Sequence, residues 1–304
     1  MEKCNLCPRR CGAERAAGRT GYCGAAAEIR CARIALHFWE EPCISGESGS
    51  GTVFFSYCTM RCVFCQNHDI SACGKGYDIT AEELAAQMLR LQSEGANNIN
   101  LVTPTHYVPQ IISALDTAKA KGLTIPIVYN TSGYERVETL RLLEGYIDIY
   151  MPDLKYYDNK YAKKYSNAPD YFEYASKAIE EMVRQTGAPV FDERGMMKRG
   201  TLVRHLMLPG LLLDSKHVMD YLRKTYGNKI YISLMCQYTP LSHVSEYPEL
   251  CRRIDMKKYD TLVDYCYSQG MEQVYIQTEE SAAESFIPAF EGEIMISGGK
   301  ENGK

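Results

Sequence analysis

The sequence has no long apolar run. No stretch approaches the length that spans a bilayer, and residues 1–10 lack the apolar core and small-residue cleavage site of a secretory leader. Both absences point to the cytoplasm and away from a membrane partner. Strong charge of either sign is missing too: 34 Lys and Arg against 38 Asp and Glu leave a net charge of -4. That balance gives no electrostatic reason to expect nucleic acid. There is no repeat of fixed period and no low-complexity tract, and the 45% hydrophobic and 24% charged residues are ordinary for a folded enzyme. At 304 residues the chain is long enough for one large α/β barrel, with or without a small appendage.

What the chain has is cysteine. Thirteen are present, ten of them between Cys4 and Cys73, with only Cys236, Cys251 and Cys266 later. In a reducing compartment disulfides explain such a number poorly, and an odd count leaves one thiol over in any case. Metal or cluster ligation at the front of the chain is the leading explanation.

From Gly51 onward short β-branched runs alternate with helical patterns, the signature of repeated βα units around a parallel sheet. Strands are expected at 52–57, 99–103, 125–130, 147–151, 201–208, 229–235 and 273–277. Thr80 and Glu83 fit a capping box, after which Leu84, Met88 and Leu91 share one helical face up to Gly95. A second helix is expected over 108–121, burying Ile111, Ile112, Leu115 and Ala118, and others over 134–143, 171–185, 215–226 and 257–269. So many consecutive units favour a partial or near-complete parallel (β/α) barrel over a doubly wound sheet. The expected organisation is a Cys-rich metal-binding cap over 1–50, the barrel over 51–290 and a loose tail over 291–304.

Directly after the first expected strand comes Cys58-Thr-Met-Arg-Cys62-Val-Phe-Cys65. Ligands belong at the carboxyl end of a barrel strand. Three close thiolates suit a four-iron cluster with one iron left open, because soft sulfur selects iron–sulfur or zinc. Zinc instead asks for a fourth protein ligand, such as Cys73 or His68.

This segment, with the aromatic Phe64 before its third cysteine, resembles the signature of the radical S-adenosylmethionine (SAM) superfamily. The resemblance implies a [4Fe-4S] cluster on Cys58, Cys62 and Cys65 whose open iron chelates SAM, an electron donor of the flavodoxin or ferredoxin type, and reductive cleavage of SAM to a 5'-deoxyadenosyl radical. Later segments are similar to the activating enzyme of pyruvate formate-lyase, and the whole pattern resembles that enzyme's uncharacterised paralogues. Val128-Tyr-Asn130-Thr131-Ser-Gly133 stands where the family has a strand ending in Asp-Thr-Asn-Gly, and Met151-Pro-Asp153-Leu-Lys155 where it has Met-Leu-Asp-Leu-Lys. The match implies SAM contacts for Asp153 and Lys155, and a monovalent cation near Asn130, Thr131, Met151 and Asp153. The plainer reading makes Asp153 a helix cap and Lys155 a solvated side chain.

Arg204 and His205 match a strand that carries an arginine near the cofactor; an ion pair with Asp153 is the alternative partner for Arg204. Tyr238 stands near the place of a family histidine that meets the adenosine. Where the family has Gly-Gly-Glu, this chain reads Thr103-Pro104-Thr105-His106, with Thr103 and Thr105 as hydroxyl acceptors and His106 as a proton donor or Thr105 as a helix start. This departure leaves a glycyl-radical protein as one substrate class beside a small molecule, RNA or a peptide.

Cys4, Cys7, Cys11 and Cys23 form a second group within twenty residues, fitting either an auxiliary [4Fe-4S] cluster or a structural zinc. Cys31, Cys43 and Cys73 read as spare ligands or core residues, and the segment from His37 to Cys43 as a joint at the barrel mouth. The rival of another class is a zinc-binding scaffold without catalysis on the same barrel.

Overall fold

The computed structural model describes residues 3–278. After an irregular stretch with one 3-10 turn at Arg15–Ala17, the chain forms β1 (Ile29–His37), a short helix α1 (Pro42–Ser45) and β2 (Ser50–Phe55). Helix α2 (His68–Ser71) and β3 (Tyr77–Ile79) follow, then α3 (Ala81–Ser93), β4 (Ile99–Val102), α4 (Val108–Ala120), β5 (Ile127–Thr131), α5 (Val137–Arg141) and β6 (Ile149–Pro152). The last part holds α6 (Asn159–Ser166), α7 (Tyr171–Thr186), β7 (Val190–Phe191), β8 (Met197–Leu206), α8 (Leu212–Tyr226), β9 (Tyr231–Met235), α9 (Met256–Ser268) and β10 (Val274–Ile276).

The strands make one sheet in the order β10-β9-β8-β6-β5-β4-β2-β1-β3, with β7 paired beside β8. Neighbours from β2 to β10 are parallel, while β1 is antiparallel to β2 and β3 to β1. The two ends of this order do not pair among the described residues, so the sheet is an open, partial barrel.

All seven expected strands form. Strands β1, β3 and β7 were not expected. A register shift between Cys31 and Arg33 breaks the alternation of β1, burying Cys31 and Ala32 in succession, and β7 has only two residues. The segment 1–50 is therefore divided: its first half is irregular, and its second half supplies a sheet strand. The tail 291–304 and residues 279–290 of the expected barrel span lie outside the described residues.

Helix α3 begins with both halves of the capping box, Glu83 N donating to Thr80 Oγ1 at 3.1 Å and Thr80 N to Glu83 Oε2 at 2.8 Å. Its Leu84, Met88 and Leu91 are wholly buried against Val53, Ile99 and Leu101 on the outer sheet face. Each such burial contributes about 1.5–3 kcal/mol. Strand residues of opposite parity face inward, and there Thr52, Asn100, Asn130, Arg204 and Ser233 are polar. A packed barrel would bury apolar side chains at these positions; this one encloses a site.

Because β1 descends against β2, His37 pairs with Ser50 and the chain reaches the amino ends of the parallel strands. There it closes the barrel. Asn97 and Asn98 donate to the carbonyls of Ser45 and Ile44 at 2.6 and 2.8 Å, and Cys43 and Ile44 pack on Val128, Ile149 and Leu202. No helix of the described residues is long and apolar enough to cross a membrane.

Candidate active site

A cavity of about 500 Å³ occupies the barrel. The loop after β2 brings Cys58, Cys62 and Cys65 to one wall, and the strand ends bring Thr103, Asn130, Asp153, Lys155 and Arg204 to the rest; Phe64 and Tyr238 also face it. The loop is under backbone strain: Tyr57 and Arg61, on either side of Cys58, have φ of 72° and 55°. Positive φ costs a side-chain-bearing residue of order 1–3 kcal/mol and persists where surrounding contacts hold it. Here Tyr57 N donates to Ile70 O at 2.8 Å, Tyr22 Oη to Met60 O at 3.1 Å and Arg61 to Cys23 O at 3.2 Å.

Each of the three sulfurs accepts one hydrogen bond: Cys58 from Met60 N at 3.4 Å, Cys62 from Ser166 Oγ at 3.0 Å and Cys65 from Ser71 Oγ at 3.4 Å. Such bonds stabilise thiolate and tune a sulfur-ligated centre. Burial nevertheless pushes the Cys62 thiol up to about 12, against the pull of Lys155 and Ser166. A bound metal would ionise it. The three sulfurs are not all within 4.8 Å of one another, since among the described residues only His68, Asp69 and Cys73 make a trio that close. One zinc ion at ~2.3 Å from each sulfur would demand separations of ~3.8 Å.

Asp153 is the hub of the polar wall. Its carboxylate accepts from Lys155 Nζ at 2.6 Å and Arg204 Nε at 3.2 Å. Burial works against its ionisation, but Lys155 and Arg204 outweigh it and hold the carboxyl below its ordinary range. Burial also opposes the Lys155 charge, and Asp153 and Cys62 more than offset it. Arg204 further donates to Asn130 Oδ1 at 2.6 Å and meets Glu40 Oε2 at 3.4 Å. A guanidinium thus makes the Asn130 and Asp153 contacts that the resemblance gives to a monovalent cation. Tyr238 donates to Leu250 O at 2.6 Å and sets its ring edge-on to Phe64, with centroids 6.4 Å apart.

Three expectations change. His106 does not face the cavity: it is buried with Nε2 at 2.8 Å from Ser56 O, and burial lowers it to about 3. It is a neutral core residue rather than a proton donor. Thr105 turns away as well, donating to the buried Glu135 at 2.6 Å, so only Thr103 of that loop reaches the site. His205 lies between Leu154 O and Ser215 Oγ, behind Arg204. His68 and Cys73 sit with Asp69 on a turn where Asp69 already pairs with Lys75 at 2.5 Å. Cys31 and Cys43 are buried, and all thirteen cysteines are free thiols. The acidic pair Glu40 and Glu41 lines the cavity from the His37–Cys43 segment expected at the barrel mouth, but the antiparallel course of β1 puts it at the amino end instead.

Cys4, Cys7, Cys11 and Cys23 lie outside this cavity in a fold of tight turns. Cys4 bonds Ala13 and Gly12 through its backbone at 2.9 Å, Arg10 N donates to Cys7 O at 3.1 Å, and Gly21 leaves room for Cys11 Sγ where a Cβ would collide with it. Burial raises the Cys7 thiol to about 12.

The family model of the radical SAM superfamily matches residues 52–222, more than half of the chain. The chain belongs to the radical SAM superfamily. An uncharacterized protein of Methanocaldococcus jannaschii is 27% identical over 285 residues, covering 90% of this chain and 77% of that protein. Among solved structures, methylornithine synthase (PylB) superposes with a TM-score of 0.52 at 13% identity, over 81% of this chain and 65% of that one. That likeness shows the fold. Streptococcus suis SuiB bound to S-adenosylmethionine matches with a TM-score of 0.48 at 16% identity, over 73% of this chain and 48% of that one. This radical SAM chain spans about half the length of SuiB.

Proposed function

We propose that this radical SAM protein is an enzyme whose Cys58, Cys62 and Cys65 hold a [4Fe-4S] cluster and whose cavity binds SAM. The observation that carries the reading is the convergence of those three hydrogen-bonded sulfurs and the Lys155–Asp153–Arg204 array on one cavity. A cluster bound there would supply the electron, drawn from a flavodoxin- or ferredoxin-type donor, for reductive cleavage of SAM to methionine and a 5'-deoxyadenosyl radical able to take a hydrogen atom from substrate.

The residues do the positioning. Lys155, buried and charged beside Cys62, meets the methionine carboxylate, and Asp153 fixes Lys155 and Arg204 in place. Thr103 offers acceptors to the methionine amino group, and Phe64 and Tyr238 offer ring faces to the adenine. A monovalent cation would have to share Asn130 and Asp153 with Arg204. Cys4, Cys7, Cys11 and Cys23, gathered by tight turns, hold a second metal, an auxiliary [4Fe-4S] cluster or a zinc. Free thiols throughout support a cytoplasmic setting. A glycyl-radical protein is one candidate substrate.

The test is anaerobic reconstitution followed by iron, sulfide and zinc counts and an assay for 5'-deoxyadenosine. Wild type should cleave SAM and Cys62→Ala should not; a fully loaded wild type that leaves SAM intact overturns the reading. A colourless protein with zinc and no iron would instead mark a scaffold. Iron beyond one cluster that disappears in Cys7→Ser supports the auxiliary cluster.

A further inference from the structure

The amino end of the cavity carries acids that the cofactor array does not use. Glu40 and Glu41 enter from the segment after β1, at the end of the barrel opposite Cys58, since His37 pairs with the first residue of β2. Glu40 is satisfied: Asn100 Nδ2 donates to it at 2.9 Å, and Arg204 stands at 3.4 Å. Glu41 is not. It is 8% exposed, its Oε2 has no hydrogen-bond partner, and it lines the cavity. Ser233, wholly buried on the central part of β9, also lines the cavity and has an unpartnered Oγ.

The charge balance has the same sense. Three carboxylates, Glu40, Glu41 and Asp153, face two cations, Lys155 and Arg204, while burial and then Arg33 hold His37 down to about 4, where it is neutral. Burial pushes Glu40 and Glu41 above the ordinary carboxylate range, with Arg204 pulling against it, so an added cation would favour their ionised forms. A buried carboxylate that has Ser233 and Arg204 as neighbours but no donor on its Oε2 is costly unless something compensates it. Among the described residues the cavity is also lined by His37 to Trp39 after β1 and by Tyr275 to Gln277 of and after β10.

We propose that Glu41, with Ser233 and Glu40, binds a positively charged nitrogen of the substrate, an alkylammonium or guanidinium group. The ligand carboxylate is Glu41 Oε2, and the ammonium supplies the donors that this oxygen and Ser233 Oγ lack. Arg204 holds Glu40 and separates the cationic end group from the SAM-binding wall. The substrate class is then an amine or amidine, free or as the side chain of a peptide.

The inference rests on the reading of the cavity as the SAM and substrate site, and its test uses binding rather than turnover. Cadaverine, the neutral isostere 1,5-pentanediol and a lysine-containing tripeptide are titrated calorimetrically into the reconstituted full chain, as wild type, Glu41→Gln and Ser233→Ala. Wild type should prefer cadaverine or the tripeptide over the diol by about tenfold or more, and Glu41→Gln should abolish that preference. Whichever amine binds more tightly distinguishes the free from the peptide source. Equal affinity for the diol, no binding by either amine, or a preference that survives in Glu41→Gln overturns the proposal. Near-UV circular dichroism checks that the variants fold; should Glu41→Gln fail, loss of the preference in Ser233→Ala supports the proposal and its retention there overturns it. SAM cleavage by wild type reports on the underlying reading separately.

Discussion

Arg9, five residues after Cys4 and two before Cys11, donates from Nε to the carbonyl of Thr59, the residue after Cys58, at 3.0 Å. The same guanidinium reaches the carbonyls of Ser166 and Asn167 at the end of α6 and lies over the Tyr22 ring at 4.0 Å. Ser166 is the residue that donates to Cys62. One side chain therefore joins the first cysteine group to the loop and the helix end that hold the second.

Arg9→Ala should destabilise the protein by about 2 kcal/mol, the worth of charged hydrogen bonds that are only partly buried. Arg9→Lys should recover little of it, because a single ammonium cannot reproduce a fork of three acceptors. Urea unfolding measures both. Iron retention on dilution should fall in Arg9→Ala, although Arg9 does not line the cavity.

Asp153→Asn leaves Lys155 and Arg204, whose side chains are only 17% and 16% exposed, with their main counter-charge gone. Removing one partner of a buried ion pair costs about 3–5 kcal/mol. Thermal unfolding of the metal-free protein should show a loss of that order, and SAM binding by the loaded protein should weaken with it. A loss under about 1 kcal/mol would mean that the array is solvated.

Thr103 is β-branched and has φ of 59°, and it precedes Pro104, which further disfavours helical backbone at this position. Its N–H donates to Asn130 O at 2.8 Å, which holds the turn where the resembling family has glycine. Thr103→Gly should therefore leave stability within about 1 kcal/mol of wild type, because relief of strain offsets the greater freedom of the unfolded chain. The melting temperature tests it.

Glu135 is wholly buried and accepts from Thr105, Thr131 and Tyr129, while its Oε2 has no partner. Burial, against those hydrogen bonds, pushes its carboxyl from an ordinary 4.5 up to about 7. The folded state holds this proton more tightly than the unfolded state, so the stabilising contribution is full below pH 4.5 and is lost as pH rises to about 7. The loss is on the order of 3 kcal/mol. Unfolding free energies of metal-free wild type should fall across that window, and Glu135→Gln should flatten the fall.

The parallel strands were legible because each pairs a β-branched run with a following helix, and the helix faces of Leu84, Met88 and Leu91 and of Ile111, Leu115 and Ala118 are buried as their spacing requires. Strand β1 was not, since its bulge shifts the pattern midway. Among site residues, Thr103 and His106 stand three apart in one polar loop, and spacing could not say that one faces the cavity while the other is sealed behind Ser56.

The sequence by itself determined the three-thiol motif, the alternation that builds the sheet and the order of the polar residues at its strand ends, because local spacing and side-chain chemistry encode each of these. The tertiary structure alone decided that Arg204 shares Asp153 with Lys155, that Arg9 links the two cysteine groups, and that Glu41 reaches the cavity. Those relations join residues 51, 50 and more positions apart, and only the antiparallel course of β1 and the curl of the open sheet bring them together.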